Sequence, residues 1–389
     1  MTDSSDYVVV GAGLAGAATA WQLAARGHQV TILERNVPAG HDASSHGSAR
    51  IFRYAYPDPF YTRAVQESKG LWDALALNSG SELITPAGAA DFGSERHPRL
   101  LAGVLAGAGI AHELLTPAEA SARWPQIAFD TEVLWHPDAG VIDAETAVNA
   151  MVEQAVRHGA RLLTGWQLQG LEKTAAGYRL RSVAGETFDA GNVVISAGGW
   201  LPGLLGELSL PSGFLAGLPE ITVRQEQAFH FRYKDYDGGA AAGSVPGASW
   251  PTFIHKRADI QVYGLPGGRD ADFAGQKVAE YNGGRFLPSA AAQTGEVDPA
   301  NRSRVVDYVR RFLPGLDPAP YAETTCLFTN TPNEDFIIDR VRNLTILSPC
   351  SGHGAKFAPL IGRWAADLAT GAGNVPLRFR TATTAVSGR

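Results

Sequence analysis

Near the start of the chain, Gly11-Ala12-Gly13-Leu14-Ala15-Gly16 has the spacing G-x-G-x-x-G, and an acid, Glu34, follows about 20 positions on. Such a set can hold a pyrophosphate. The glycines give a tight turn and close backbone approach, a helix N-terminus offers unpaired N–H groups, and the acid accepts hydrogen bonds from a ribose. Spacing alone is a weak signal, and the surrounding order strengthens it. Tyr7-Val8-Val9-Val10 reads as a buried strand, Ala17 to Arg26 as a helix stopped by Gly27, and Val30-Thr31-Ile32-Leu33 as a second strand ending at Glu34. Strand, turn, helix, strand and acid in that order predict a dinucleotide site. The plainer alternative is a glycine-rich turn in an ordinary βαβ unit. The motif does not choose a nicotinamide from a flavin dinucleotide.

Three other constellations carry chemistry. The polar loop from Asn36 to Ser48 holds Ser44-Ser45-His46-Gly47, small residues suited to lying along a ligand, and runs into Arg50-Ile51-Phe52-Arg53-Tyr54-Ala55-Tyr56. Two arginines three apart beside aromatics form either an anion site or a solvated basic edge. Gly352 and Gly354 precede a helix, where backbone N–H groups and the positive dipole end suit an anion, and Lys356 adds a full charge. Cys326, flanked by threonines, is from composition alone a buried inert thiol.

The elements that must position these residues are those of a large α/β protein. At 389 residues the chain is too long for one core of usual size, and two interwoven domains are expected. A net charge of −6 gives no electrostatic reason to expect nucleic acid or an anionic membrane as partner. No apolar run approaches the length of a membrane span. The first strand begins close to Met1, leaving no room for a signal peptide. Only Cys326 and Cys350 occur, so a reducing cytoplasm is the expected setting. His46 and His353 lack metal-ligand spacing, and no metal is expected.

Helices are expected over Tyr61 to Leu77, Pro98 to Ala108, Asp143 to His158, Ser303 to Phe312 and Phe357 to Ala369, with Thr116-Pro117-Ala118-Glu119 as a helix start. Ala160 to Leu171, Tyr178 to Val183 and Glu186 to Ala190 alternate like an antiparallel meander. Asn192 to Ser196 reads as a separate apolar strand closing on Ala197-Gly198-Gly199-Trp200, the kind of turn where a doubly wound sheet opens to its ligand. Val133 to His136, Gln227 to Tyr233 and Ile260 to Leu265 read as strands, the last two of a different, mostly antiparallel sheet. Asp235 to Gly247 and Pro266 to Gly284 read as loop, and Ala382 to Arg389 as a frayed tail.

The run Thr324-Thr325-Cys326-Leu327-Phe328-Thr329-Asn330-Thr331-Pro332-Asn333-Glu334-Asp335-Phe336-Ile337-Ile338-Asp339, with Ser351-Gly352-His353-Gly354-Ala355-Lys356-Phe357, resembles the signature of the monomeric sarcosine oxidase / N-methyltryptophan oxidase family. Ser45-His46-Gly47 with Arg50, Arg53 and Tyr56, then Ala197-Gly198-Gly199-Trp200, Arg224-Gln225 and Tyr263-Gly264-Leu265-Pro266, match in family order over essentially the whole chain. The resemblance implies an FAD-binding Rossmann-like domain from residues 1–83, 142–215 and 321–379. It is interwoven with an antiparallel-sheet substrate domain from 84–141 and 216–320, and 380–389 is a loose tail. It implies FAD joined to Cys326 by an 8α-thioether. Gly11, Gly13, Gly16, Glu34, Ser45, His46, Gly47, Gly198, Trp200, Gly352, His353, Gly354 and Lys356 would line that cofactor. Cys350 is expected to be a packed thiol.

The implied activity is oxidation of the C–N bond of a secondary amino acid or N-substituted glycine. Hydride passes to flavin N5, the imine hydrolyses, and oxygen is reduced to hydrogen peroxide. Arg53 and Lys356 match the carboxylate clamp, for which a guanidinium fork suits the geometry. Arg50 matches a residue beside the flavin ring, Tyr263 a pocket wall, and Lys277 the oxygen-activating lysine. A cation there would stabilise superoxide. The segment between Tyr263 and Lys277 is longer than the family pattern and holds Arg269, Asp270 and Asp272. Tyr281 stands where sarcosine-type enzymes place a histidine, so a larger or differently shaped substrate than sarcosine is expected. Tyr56 and Tyr281 are taken as substrate-facing. The expected partners are a small amine or amino acid and O2, and the expected state is a monomer. Three alternatives stand beside this: a biosynthetic or glycine-oxidase-like amino acid or cyclic-imine oxidase with the same clamp, a nicotinamide-dependent dehydrogenase, and a flavin-bearing sensor without turnover.

Overall fold

The computed structural model describes residues 3–234, 250–373 and 375–381. The loop expected over Asp235 to Gly247 and the tail over Ala382 to Arg389 lie outside the described residues.

The strand Asp3–Val10 carries Val8 and Val9 fully buried, with neighbours on both sides. Val30–Leu33 runs parallel on one edge, and Thr187–Ile195 runs parallel on the other. Arg161–Leu163 extends the sheet beyond Val30–Leu33, and Leu344–Ser348 lies parallel to Val193–Ile195. The apolar runs are strands buried on both faces, as a parallel sheet covered by helices requires. Two expectations change here. Ala160 to Leu171 is not one strand of the meander: Arg161–Leu163 joins the parallel sheet, and only Leu168–Lys173 pairs antiparallel with Tyr178–Ser182. Glu186 to Ala190 and Asn192 to Ser196 form a single strand, because Gly191 continues the extended backbone. Its first half pairs antiparallel with Tyr178–Ser182, and its second half joins the parallel core.

The helix Leu14–Ala25 covers this sheet with a face of small residues. Against it lie Ala144–Arg157 and Ala358–Thr370. The last approaches so closely that a Cβ on Gly362 would sit 2.5 Å from the Cβ of Ala18. Asp143 caps its helix as its side chain accepts from the Thr146 N–H at 3.0 Å, and Thr116 with Glu119 forms a capping box.

Among the described residues a second sheet of nine strands is antiparallel except where Thr252–Lys256 lies along Ala89–Phe92. Its middle is Thr222–Tyr233, Gly275–Glu280 and Gln261–Pro266. Gly275–Glu280 corrects the expectation of loop over Pro266 to Gly284. It is an interior strand whose first five residues are all buried, so it shows no alternation. The other unexpected element is Leu316–Asn330, fifteen residues that pair with Thr222–Tyr233 from Leu316 to Asn330. This strand carries Cys326 and crosses the expected boundary between 320 and 321.

Among the described residues no helix is long and apolar enough to cross a membrane.

Candidate active site

One continuous cavity of about 470 Å³ runs between the two sheets. Gly11, Gly13, Glu34 and Arg35 line one end, and Ser44, Ser45 and Arg50 the middle. Arg53, Tyr56, Lys256, Tyr263, Lys277, Tyr281, Cys326 and Lys356 line the other.

The glycine turn is built as the sequence predicts. A Cβ on Gly11 would lie 2.4 Å from the Ser196 carbonyl oxygen, and Gly11 has φ +98°. Only glycine takes that conformation at that distance. Gly16 does not line the cavity. A Cβ there would meet the Gly11 carbonyl oxygen at 1.9 Å, so its task is to let helix and strand close. Gly16→Ala is therefore expected to cost about 1–3 kcal/mol of stability by overpacking. It should also leave the purified protein short of flavin, as read from Tm and the 450/280 nm absorbance ratio.

Glu34 is buried. Its two oxygens accept from the N–H groups of Ala12 at 2.7 Å and Asn36 at 2.9 Å, tying the turn to the second strand. Ser45 Oγ accepts from the Leu14 N–H at 3.0 Å. Arg35 lies 4.2 Å over the Trp200 ring, while its Nε and Nη1 are buried without a partner. Gly198, at φ +50°, turns the chain beneath Trp200.

Arg50 folds its own loop: its guanidinium donates to the carbonyls of Ala49, Ser44 and His46 at 2.8–2.9 Å. Ser44 in turn donates to the Leu327 carbonyl at 2.7 Å, fastening the loop to the Cys326 strand. His46 and Gly47 stand behind the cavity wall. Burial and the neighbouring Arg50 and Lys277 charges push His46 down to about 3, so it is neutral. The insertion after Tyr263 packs here. Asp270 accepts from the Ser48 hydroxyl, its N–H donates back to Ser48 Oγ at 3.0 Å, and Arg269 pairs with Asp143 at 3.2 Å. That places a carboxylate in the field of Lys277. The strand register also sets His230 beside Lys277, with both ring nitrogens buried and unpartnered.

Lys277 is buried and makes no hydrogen bond or ion pair among the described residues. Its pKa is lowered to about 8, first by burial and then by Arg50, against the opposing pull of Cys326 and Asp270. Burial pushes the Cys326 thiol up, while Arg50 and Lys277 act to lower it. Across the strand pair Cys326 faces Glu226, whose pKa burial raises to about 7. Cys350 also lines the cavity, and its Sγ accepts from the Thr329 N–H.

At the far end, Arg53 donates to the Ala55 carbonyl and lies 4.5 Å over the Tyr56 ring. Arg96 donates to the same carbonyl at 2.9 Å and is held by the fully buried Asp91 at 2.6 Å. Lys356 donates to the His353 carbonyl at 2.9 Å, and burial pushes its pKa well down. Gly354 is required there because a Cβ would sit 1.8 Å from the Pro349 carbonyl oxygen. The His353 ring spends both nitrogens on the protein. Nε2 lies 2.9 Å from the Glu334 carbonyl, so it carries the proton, and Nδ1 accepts from the Tyr56 hydroxyl at 3.2 Å. Tyr281 donates to Glu334 Oε1 at 2.7 Å. Sequence reasoning missed Lys256, Glu226 and His230 as site residues and assigned no role to Glu334 or Asp270. Each is an ordinary residue on a strand or turn: the fold brings Lys256 and Glu334 to the cavity wall, and sets Glu226, His230 and Asp270 behind it, beside Cys326 and Lys277.

FAD fits these residues. The turn admits no Cβ at Gly11, Arg35 has buried unpartnered N–H groups beside an aromatic wall, and the cavity continues from there to Cys326. No group of three or more metal-binding side chains occurs among the described residues.

Comparison with known proteins agrees. The family model described as FAD dependent oxidoreductase (DAO) matches residues 6–368. Monomeric sarcosine oxidase of Streptomyces avermitilis is 31% identical over 381 residues, covering 95% of this chain and 94% of that protein. N-methyl-L-tryptophan oxidase of Yersinia pestis is 28% identical over 379 residues, covering 94% of each. The open form of NikD, an unusual amino acid oxidase essential for nikkomycin biosynthesis, superposes with a TM-score of 0.83 at 26% identity, covering 98% of each chain. A glycine turn that left two dinucleotides open is thereby assigned to the flavin one: the chain belongs to the DAO family of FAD-dependent oxidoreductases.

Proposed function

We propose that this protein oxidises the C–N bond of a secondary amino acid or N-substituted glycine, passes the electrons to oxygen, and carries its FAD on Cys326. The observation that carries the reading is that Arg53, Lys356, Lys277 and Cys326 line one end of a single cavity whose other end is the dinucleotide turn. Bound FAD supplies the two-electron acceptor. Gly11, Gly13, Glu34, Arg35 and Ser45 hold its nucleotide side, and Gly352, Gly354 and Lys356 supply N–H groups and charge where its reduced form is anionic.

The chain's own residues do the rest. Arg53 and Lys356 bind the substrate carboxylate and so fix the α-carbon and amine. Tyr56, Tyr263 and Tyr281 wall the site, and burial raises each hydroxyl's pKa, so they stay protonated donors. The cationic surroundings favour the unprotonated amine, whose lone pair drives loss of hydride. The imine leaves and is hydrolysed in water. Lys277, with Arg50 behind it, places positive charge where oxygen gains its first electron.

The partition between an FAD domain (1–83, 142–215, 321–379) and a substrate domain (84–141, 216–320) belongs to the same proposal. So does a cytoplasmic monomer, which two free thiols suit.

The test is an absorption spectrum before and after acid precipitation, followed by peroxide release across N-methyl, N-alkyl, cyclic and primary amino acids. Yellow colour is expected to stay with the pellet and, in Cys326→Ala, to pass to the supernatant. Colour released by the unaltered protein would refute the attachment. Peroxide only from primary or cyclic amino acids would favour the glycine-oxidase-like or cyclic-imine alternative.

A further inference from the structure

The strand Thr252–Lys256 turns Phe253 and His255 into the apolar cluster under the helix Pro299–Phe312, and Ile254 and Lys256 toward the cavity. Lys256 is half-buried there. Its ammonium lies 5.4 Å over the Tyr281 ring and makes no hydrogen bond or ion pair among the described residues. Its strand partner Gln261 also lines the cavity.

The charges around it do not cancel. Arg53 and Arg96 repel Lys256, while Glu334 and Asp91 attract it. Asp91 is already bound to Arg96 at 2.6 Å, which leaves the exposed Glu334, also an acceptor for Tyr281, as the carboxylate that faces Lys256. Arg53 also repels Lys356, so its charge reaches both lysines. Beside the Arg96–Asp91 pair, one substrate carboxylate and Glu334 together offset two of the three charges of Arg53, Lys356 and Lys256, and one positive charge is left facing the cavity. A half-buried cluster that keeps a net positive charge favours ligands that bring a second anion.

We propose that Lys256, with Gln261, forms a second anion subsite, and that the preferred substrate is a dicarboxylic secondary amino acid. This rests on the amino acid oxidase reading above. The α-carboxylate sits on Arg53 and Lys356. The distal carboxylate, on the side chain or on the N-substituent, sits on Lys256.

The test uses the holoenzyme. kcat/KM is measured for N-methyl-L-aspartate, N-methyl-L-glutamate and iminodiacetate, each against its neutral monoamide. At least one dicarboxylate is expected to exceed its amide about tenfold or more. The ratio should fall to near one in Lys256→Gln and recover in Lys256→Arg. Which pair shows the preference tells whether the acid is on the side chain or on nitrogen. Amides as good as acids in the unaltered enzyme, or a ratio unmoved by Lys256→Gln, would overturn the subsite. Binding of thiodiglycolate against (methylthio)acetate, in which sulfur replaces the amine, is followed through the flavin spectrum. 2-(Methylthio)succinate, with the acid on the side chain, is measured in the same way against its 4-amide, so the subsite is decided even if no amine is oxidised: tighter binding of either dianion supports it, and equal binding in both pairs overturns it. Absence of turnover with every amine counts only against the oxidase reading.

Discussion

Replacing Lys277 by methionine is expected to slow the reaction of the reduced holoenzyme with oxygen about 10²–10³-fold, the usual loss when one preorganised charge-stabilising group is removed. Anaerobic reduction by substrate should change far less. The asymmetry follows from placement. Lys277 sits with Arg50, Cys326 and Asp270, whereas Arg53 and Lys356, the proposed carboxylate clamp, stand with Tyr56 and His353. The pH profile adds a second readout. The pKa of Lys277 is lowered to about 8, so its charge is present below that pH and lost above it. The oxygen reaction of the unaltered enzyme should therefore fall as pH rises through about 8, and this limb should be absent in Lys277→Met. Asp270→Asn removes a charge that holds the proton on Lys277 and should move the limb to lower pH. Stopped-flow measurement of both half-reactions would check this. Equal slowing of both would refute the assignment.

Arg53→Met should cost the most in substrate recognition. Removing one partner of a buried, hydrogen-bonded charge pair costs about 2–5 kcal/mol. That corresponds to a loss in kcat/KM of roughly 30-fold to several thousand-fold. Arg53→Lys should not restore it, because the ammonium replaces a planar fork that lies over the Tyr56 ring and donates to the Ala55 carbonyl at the cavity wall. Most of the effect should appear in KM and in the Kd of a non-oxidisable carboxylate. A loss confined to kcat would place Arg53 elsewhere in the reaction. The same experiment probes the support beneath it, since Arg96 and the buried Asp91 fix the Ala55 carbonyl that both arginines share.

The parts of this protein that could be read from sequence were local. The glycine turn, its helix and its two strands lie within one short stretch, and helix caps such as Asp143 and Thr116 announce themselves by type and spacing. The parts that could not be read depend on pairing. Gly275–Glu280 is interior to its sheet and buried nearly throughout, so Gln276 and Lys277 look like loop residues until Thr222–Tyr233 and Gln261–Pro266 flank them. Leu316–Asn330 contains Pro318 and Pro320 and a half-buried pattern, which conceal a strand held almost wholly by its one partner. Lys256 carried no signal at all. Its meaning comes from Tyr281, Arg53 and Glu334, none of them near it in sequence.

The parallel sheet is assembled from distant parts of the chain: its first strand is Asp3–Val10, and a strand pairing with its core is Leu344–Ser348. At roughly 5–20 residues per second, synthesis reaches that strand about 15–60 s after Val30–Leu33 has been made. Through that interval the nascent chain holds a pyrophosphate turn without the helix Ala358–Thr370 that packs on the helix after it. Cofactor loading is therefore expected to follow completion of the chain. Any cell making this protein must shelter an incomplete sheet until its last strand arrives.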